Sequence, residues 1–351
     1  MTAGSHRAAV CLALDGPDAV TTQRVPDEDL GPDSLRIAVR AAGVNFPDYL
    51  LTRGEYQLKL TPPFVPGMEV AGVVTECGQP SGGSATFPVG SAVIALTRTG
   101  GFAEEVVVGS EAVFPLPQPF SYREGATFLV AARTAYHALV DRAGLRSGEK
   151  VVVLGATGGV GLAAVQLAKS LGAQVVGVGS DPTKLAAVNT AGADHAVNHR
   201  DSDLVGTVRD LVGRVDVVFD PVGALGAQAF RLLGWGGRYL VVGFASGTIP
   251  SFAANQILLK GASVLGVRAG EAARVDPTGF QRGMTRLLAF AAQGHLRPHI
   301  SHEFRLEDAA AALATLSERR VTGRVVITTE QPPRAPEPSA PTQGPNSVEQ
   351  H

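Results

Sequence analysis

From residue 150 onward the chain alternates short apolar runs with longer stretches whose apolar residues recur every three or four positions. The runs are VVVL (151–154), QVVGVG (174–179), HAVN (195–198), VDVVFD (215–220) and RYLVVG (238–243). Apolar runs without polar alternation predict parallel strands buried on both faces. The spacing between them, as in GLAAVQLAKSLG (161–172), predicts helices. ASVLGV (262–267) adds another strand, followed by an Ala/Leu-rich helix and a closing strand, GRVVIT (323–328). Before residue 125 the pattern differs. RIAVRAAGV, VAGVVTECG, SAVIAL and AEEVVVG are short β-like runs separated by Gly and Pro, which predicts an irregular, mostly β unit.

The expected organisation is therefore a mostly β unit over 1–125 and an α/β, doubly wound parallel sheet over 126–261. Residues 262–330 add an edge strand and return to the first unit. Residues 331–351 lie in a Pro-, Ser- and Gln-rich stretch nearly free of large apolar side chains, which cannot bury enough surface to offset chain entropy, so a disordered tail is expected. No internal repeat of solenoid period is present.

Composition narrows the class. A chain of 351 residues accommodates about two domains. The formal net charge is −2 with dispersed basic residues, which argues against nucleic acid or an anionic membrane surface as main partner. No apolar run is long enough for a membrane span, and MTAGSHRAAVCLALDG lacks the length of apolar core a signal peptide needs. The two cysteines, Cys11 and Cys77, stand alone, which fits a reducing cytoplasm and no disulfide framework.

The candidate chemistry lies in VVVLGATGGVGLAAVQLAKSLGAQVVGVGS (151–180). A strand, a Gly-rich turn and a helix aim backbone N–H groups and a positive dipole end at an anion. In the G-x-G-x-x-G dinucleotide fingerprint the first position makes the tight turn, the second admits the pyrophosphate and the third lets helix pack on strand. Those positions are Ala156, Gly158 and Gly161, with Gly159 and Val160 between them. Alanine at the first position makes the match imperfect; the surrounding β-α units carry the assignment to a Rossmann-type sheet. NAD sites place an acid at the end of the second strand, on the ribose 2′-hydroxyl. Here that end reads Gly179-Ser180, with Lys184 one helical turn on and His199 and Arg200 closing the next strand. Charge-assisted hydrogen bonds of about 1.5–3 kcal/mol each make NADPH the expected cofactor. In the alternative, Asp181 caps the next helix while Lys184 and Arg200 are merely solvated.

GVNFPDYLLTRGEYQ (43–57), PFVPGMEVAGVV (63–74), ARTAYHAL (132–139), GATGGVGLAAVQLAK (155–169), GGRYLVVGFASGTIP (236–250), LLKGASVLGV (258–267) and GRVVI (323–327) together resemble the medium-chain dehydrogenase/reductase superfamily. Within it the chain is similar to the zinc-free, zeta-crystallin-like quinone oxidoreductases, over residues 7 to about 328. The resemblance implies a GroES-like catalytic domain beside the Rossmann domain. Zinc relatives place a Cys in the segment that reads GVNFPD here and Gly-His-Glu where this chain has Gly67-Met68-Glu69; Asn45 and Met68 stand instead. His295, His299 and His302, interrupted by Pro298, read as a surface loop rather than a metal site.

The resemblance implies hydride transfer from NADPH to a quinone or other α,β-unsaturated carbonyl compound, with hydrogen-bond donors at the oxygen that gains charge. Asn45 and Tyr56 are the candidates for lining the cleft; the other reading of Tyr56 is a half-buried aromatic with its hydroxyl in solvent. A second tyrosine of the zeta-crystallin segment is Leu50 here. Cofactor contacts carried over are Thr134, Gly158, Gly159, Val160, Gly179, Ser180, Lys184, His199, Gly243, Phe244, Ala245 and Val267, with Arg324 reaching the phosphates or making only a surface ion pair; Asn45, Ala156, Gly161 and Arg200 join them from the reading of the residues. An enoyl-thioester reductase and a non-catalytic NADPH-binding structural or RNA-binding protein remain as alternatives. A homodimer paired through residues 262–267 is also implied.

Overall fold

The computed structural model describes residues 4–79, 87–318 and 320–329; the tail expected over 331–351 lies outside them. Among the described residues the chain forms two large sheets and one hairpin.

The strands, in chain order, begin with a hairpin of β1 (Ser5–Cys11) and β2 (Val20–Pro26). Then come β3 (Ser34–Val44), β4 (Glu69–Cys77), β5 (Ala92–Leu96), β6 (Glu105–Gly109) and β7 (Val113–Pro115). The α/β region supplies β8 (Lys150–Leu154), β9 (Gln174–Gly179), β10 (His195–Asn198), β11 (Val215–Asp220), β12 (Leu233–Val241) and β13 (Ser263–Gly266). The chain closes with β14 (Ile300–Arg305) and β15 (Arg324–Thr328).

Strands β8 to β13 form one parallel sheet in the order β10-β9-β8-β11-β12-β13. The connections lead away from β8 toward β10 on one side and toward β13 on the other. That switch in strand order opens a crevice at the carboxyl ends of the strands, where such sheets bind ligands. Strand β8 is buried throughout Val151–Leu154, as its apolar run demands. The other sheet runs β14-β15-β3-β4-β5-β7, with β6 also paired to β3. Its strand β15 comes from the far end of the chain and lies antiparallel to β3, with Val325 opposite Val44. Separate apolar cores fill the space around Ile37, Val70 and Phe102 and around Val153, Leu167 and Phe219.

Several expectations are corrected. The strand expected from RYLVVG starts earlier: β12 begins at Leu233, before the Gly-Trp-Gly-Gly stretch that broke the apolar run, and ends at Val241. ASVLGV is shortened to Ser263–Gly266. The segment after it holds helices Ala269–Val275, Pro277–Ala292 and Ala309–Ser317 rather than one. The histidine segment is not all loop. His302 lies in β14, whose alternating burial marks a half-exposed edge strand, and its Nδ1 is 2.8 Å from Ser301 Oγ.

Candidate functional site

The Gly-rich turn leaves β8 through Gly155, whose φ of +57° is left-handed. Gly155, not Ala156, therefore meets the conformational demand assigned to the first fingerprint position. Ala156 instead faces inward, fully buried, and donates its N–H to Val178 O at 3.0 Å, tying the turn to β9. Gly158 is the N-cap of the helix Gly159–Ser170. A Cβ on Gly158 would meet only Gly155 O, at 3.5 Å, so there is room beside its α-carbon, although its N–H is bonded to Gly155 O at 3.0 Å. A Cβ on Gly161 would stand 2.2 Å from Gly155 O and 2.8 Å from Ala156 Cα, so helix and strand turn touch through backbone there. The turn thus presents the first N–H groups of a 12-residue helix, Val160 among them, toward the crevice.

The remaining nucleotide candidates collect at the same edge of the sheet. Ser180 follows β9, and His199 and Arg200 follow β10, with Asn198 opposite Gly179 and His199 N–H donating to Gly179 O at 3.0 Å. Gly179 is buried, and a Cβ there would press on Leu185 and Thr157 at 2.9 and 3.0 Å, so packing as well as ligand room favours glycine. Asp181 caps the helix Pro182–Thr190, accepting from Thr183 N at 2.9 Å and Lys184 N at 3.3 Å. Lys184 Nζ donates to Val321 O at 3.3 Å, and Arg200 is exposed. Gly243, Phe244 and Ala245 follow β12, and Val267 follows β13, its N–H donating to Val241 O at 2.9 Å.

Facing this edge is a buried charged cluster. Asn45 precedes the helix Phe46–Thr52 and is 3% exposed; its Nδ2 donates to Glu69 Oε1 at 3.0 Å and to Gly43 O at 3.3 Å. Arg324 Nη2 donates to Asn45 Oδ1 at 2.9 Å and pairs with Glu69 Oε1. Glu69 Oε2 accepts from Val130 N at 2.9 Å. Asp48 accepts from Asn45 N and Gly67 N, at 2.9 and 3.1 Å. Burial pushes the Asp48 carboxyl up to about 7, against the pull of those two N–H groups. Burial also raises Glu69, opposed by the Arg324 guanidinium. Arg324 is thus spent on an internal pair rather than a surface one, and its Nε is the buried side-chain polar atom without a partner among the described residues. Its stem lies against the fingerprint helix, since a Cβ on Gly159 would come 2.4 Å from Arg324 Cδ. Gly323 N–H donates to Thr157 O at 2.8 Å, so backbone joins the two units at this point.

Tyr56 is half-buried and burial raises its hydroxyl pKa. Thr134 bonds back to Val130 O at 2.7 Å within its own helix.

The residues overlooked in the sequence are Asp48, Glu69 as a buried partner, Arg133 and Asp220. Asp220 ends β11, accepts from Val222 N and Gly223 N at 2.8 Å each and from Tyr239 Oη, and so holds the turn after that strand. The only signal for it was a lone acid closing the apolar run VDVVFD.

Comparison with known proteins places the whole arrangement. Residues 31–118 match a family model for the alcohol dehydrogenase GroES-like domain, and residues 159–288 match one for zinc-binding dehydrogenases. A quinone oxidoreductase-like protein 2 from Bos taurus is 35% identical over 92% of both chains. This chain belongs to the medium-chain dehydrogenase/reductase superfamily, quinone oxidoreductase family. Among solved structures of its kind, a probable oxidoreductase from Mycobacterium abscessus superimposes with a TM-score of 0.85 at 36% identity, covering 93% of this chain and 99% of that one. The quinone oxidoreductase of Thermus thermophilus, solved also in complex with NADPH, gives 0.78 at 33% identity over 92% of this chain and all of that one. Members of this family are oxidoreductases, and the GroES-like and Rossmann parts described above are its two lobes.

Proposed function

We propose that this protein is an NADPH-dependent oxidoreductase that passes hydride to a quinone or another α,β-unsaturated carbonyl compound without zinc. The observation that carries the reading is the room left beside the Gly158 α-carbon at the N-terminus of a long helix, at the crevice between the GroES-like lobe (1–125, with the return over 262–330) and the Rossmann lobe (126–261). The NADPH complex of the Thermus thermophilus relative supports it.

Gly158, whose own N–H is bonded to Gly155 O, would give the pyrophosphate room, and the N–H groups of Gly159 and Val160 would hold it. Ser180, Lys184, His199 and Arg200 would take the 2′-phosphate, and Asp181, engaged as a helix cap, leaves no acid in the position that reads a free 2′-hydroxyl. Thr134, Gly243, Phe244, Ala245 and Val267 would border the nicotinamide. When bound, the cofactor supplies a hydride to an electrophilic carbon, and solvent supplies the proton that completes the reduction. Tyr56 places a hydroxyl donor, un-ionised at neutral pH, where the acceptor oxygen gains charge.

The donor set does not suit zinc. Asn45 is committed to Glu69 and Arg324, Met68 offers a thioether, and Glu69 is paired with an arginine. Cys11 and Cys77 bond to Ala13 O and Phe87 O, away from this cluster. Among the described residues the one group of three metal-ligating side chains within reach of each other is His6, Asp27 and Glu105, and Arg36 Nη1 lies 3.8 Å from Glu105 as its counter-charge.

We further propose a homodimer built on the open edge of β13, supported by the exposed Trp235 (82%), Leu258 (77%) and Leu259 (75%) near it. No helix among the described residues is long and apolar enough to cross a membrane, and two unpaired cysteines favour the cytoplasm. The test is loss of reduced-nicotinamide absorbance with a quinone, a small enone and an enoyl thioester side by side. Turnover with the quinone or enone is expected. Turnover confined to the thioester, or dependent on added zinc, would overturn the reading.

A further inference from the structure

Arg133 lies on the helix Leu129–Tyr136, one residue before Thr134. Its guanidinium is half-buried, sits 4.9 Å from the centre of the Phe280 ring and donates from Nη2 to Ala269 O. Three other arginines of comparable or deeper burial face a glutamate: Arg36 meets Glu76, Arg238 meets Glu149 and Arg324 meets Glu69. No carboxylate among the described residues pairs with Arg133. Burial brings its pKa down to about 10, so it is still a cation at neutral pH. A half-buried cation without a counter-charge is open to pairing with an anion brought in by a ligand.

A second cation stands nearby. Arg268 follows Val267 just past the carboxyl end of β13. Its nearest acid, Glu271, is 4.0 Å away and is held more closely by Arg274 Nε at 3.0 Å. Arg268 is exposed and adjoins Ala269, whose carbonyl accepts from Arg133, and both guanidinium groups favour the ionised form of the Tyr56 hydroxyl against burial. The acid that acts on the same hydroxyl, Asp48, is fully buried and occupied by two backbone N–H groups. The two arginines are the chain neighbours of Thr134 and Val267, which border the proposed nicotinamide position.

We infer that Arg133, assisted by Arg268, is a specificity-determining subsite for a carboxylate on the acceptor, so that the preferred substrates are conjugated carbonyl compounds bearing an acidic group. This rests on the oxidoreductase reading above. A guanidinium presents a planar fork that matches a carboxylate through two parallel hydrogen bonds, and the Phe280 ring fixes the plane of that fork from one side.

The experiment compares NADPH oxidation by an enone that carries a carboxylate separated from the conjugated system by two saturated carbons and by its methyl ester. The electrophile is the same in both; only the charge differs. Wild type is expected to favour the acid by about tenfold or more in kcat/KM, the size of one charge-assisted hydrogen bond. Arg133→Met should collapse that ratio toward one, Arg133→Lys should keep part of it, and Arg268→Gln should reduce it. A wild-type ratio of one or below, or a ratio untouched in Arg133→Met, overturns the inference. A saturated, non-reducible analogue of the acid separates this from the redox reading. It should raise the melting temperature of the NADPH-bound wild type but not of Arg133→Met. That shift without turnover of either acceptor would keep the anion subsite and reject the redox reading; its absence in wild type would reject the subsite.

Discussion

Two glycines three residues apart in the fingerprint turn are expected to fail in opposite ways when a single methyl group is added. At Gly161 the new Cβ would have its three nearest neighbours in backbone, at 2.2, 2.8 and 2.9 Å, closer than real Cβ atoms come. Neither helix nor turn has a flexible end to yield, so the helix must slide on the sheet. Overpacking costs about 1–3 kcal/mol; with backbone on both sides the upper figure applies. For a domain of this size that lowers Tm by about 6–12 °C, at roughly 2–4 °C per kcal/mol. At Gly158 the backbone has an ordinary φ of −83° and the methyl meets only Gly155 O, at 3.5 Å. Gly158→Ala should therefore melt within about 0.5 kcal/mol of wild type, yet fill the space a phosphate must enter. The assay is thermal unfolding with and without NADPH. At a ligand concentration of about one hundred times Kd the wild type gains about 2.7 kcal/mol. A tenfold loss of affinity in Gly158→Ala cuts that to about 1.4 kcal/mol. If Gly158→Ala keeps the full NADPH shift, the turn is not the phosphate cradle; if Gly161→Ala melts with wild type, the close helix–strand approach is not real.

Four further outcomes follow from the site and the sheet edges. Asp48 has its carboxyl pKa raised by burial from 3.8 to about 7. The folded state therefore holds that proton where the unfolded chain has lost it, and stability falls as pH rises through this window, by up to about 1.4 kcal/mol per unit. Asp48→Asn should flatten the slope measured by denaturant titration between those limits, and an unchanged slope refutes the assignment. Removing either partner of the Glu69–Arg324 pair leaves a charge buried alone, at about 3–5 kcal/mol. The double variant Glu69→Leu with Arg324→Met should lose less than the sum of the singles; strict additivity in a double-mutant cycle would count against coupling. Arg200→Ser should weaken NADPH about tenfold while sparing NADH; equal losses in fluorescence titrations of both would remove Arg200 from the 2′-phosphate site. Light scattering should give a dimer mass for wild type and a monomer for Leu258→Glu with Leu259→Glu; a wild-type monomer rejects the edge pairing.

The inner parallel strands were legible because burial on both faces leaves no choice of residue: QVVGVG and VDVVFD fall on β9 and β11 residue for residue. Of the edge elements, HAVN was legible as β10, but those of the other sheet were not. β14 reads ISHEFR, polar at every position that faces water, and carries no apolar run to detect. The first hairpin was hidden likewise, since SHRAAVC is apolar only in its second half. Within the site, the candidates that follow strand ends could be placed by topology alone. The charged cluster could not, because Arg324 reaches Asn45 across 279 positions and Glu69 across 255. Only the folded chain shows that Asn45 and Arg324 face each other rather than solvent. For the same reason Arg133 looked like any surface arginine until Phe280 and Ala269 were found around it.

Strand β15 enters its sheet between β3, formed near residue 40, and β14, formed near residue 300. During synthesis the ribosome has made the whole Rossmann lobe before this strand emerges. The Rossmann sheet can close on itself as it appears, whereas the GroES-like sheet must wait with the Ala41–Val44 part of one flank of β3 unpaired. Such a flank is a template for pairing with other nascent chains. Arg324 arrives on that same last strand, so the buried cluster is finished only when the chain nearly is. A product truncated ahead of residue 324 would then carry an intact nucleotide turn beside an unclosed sheet.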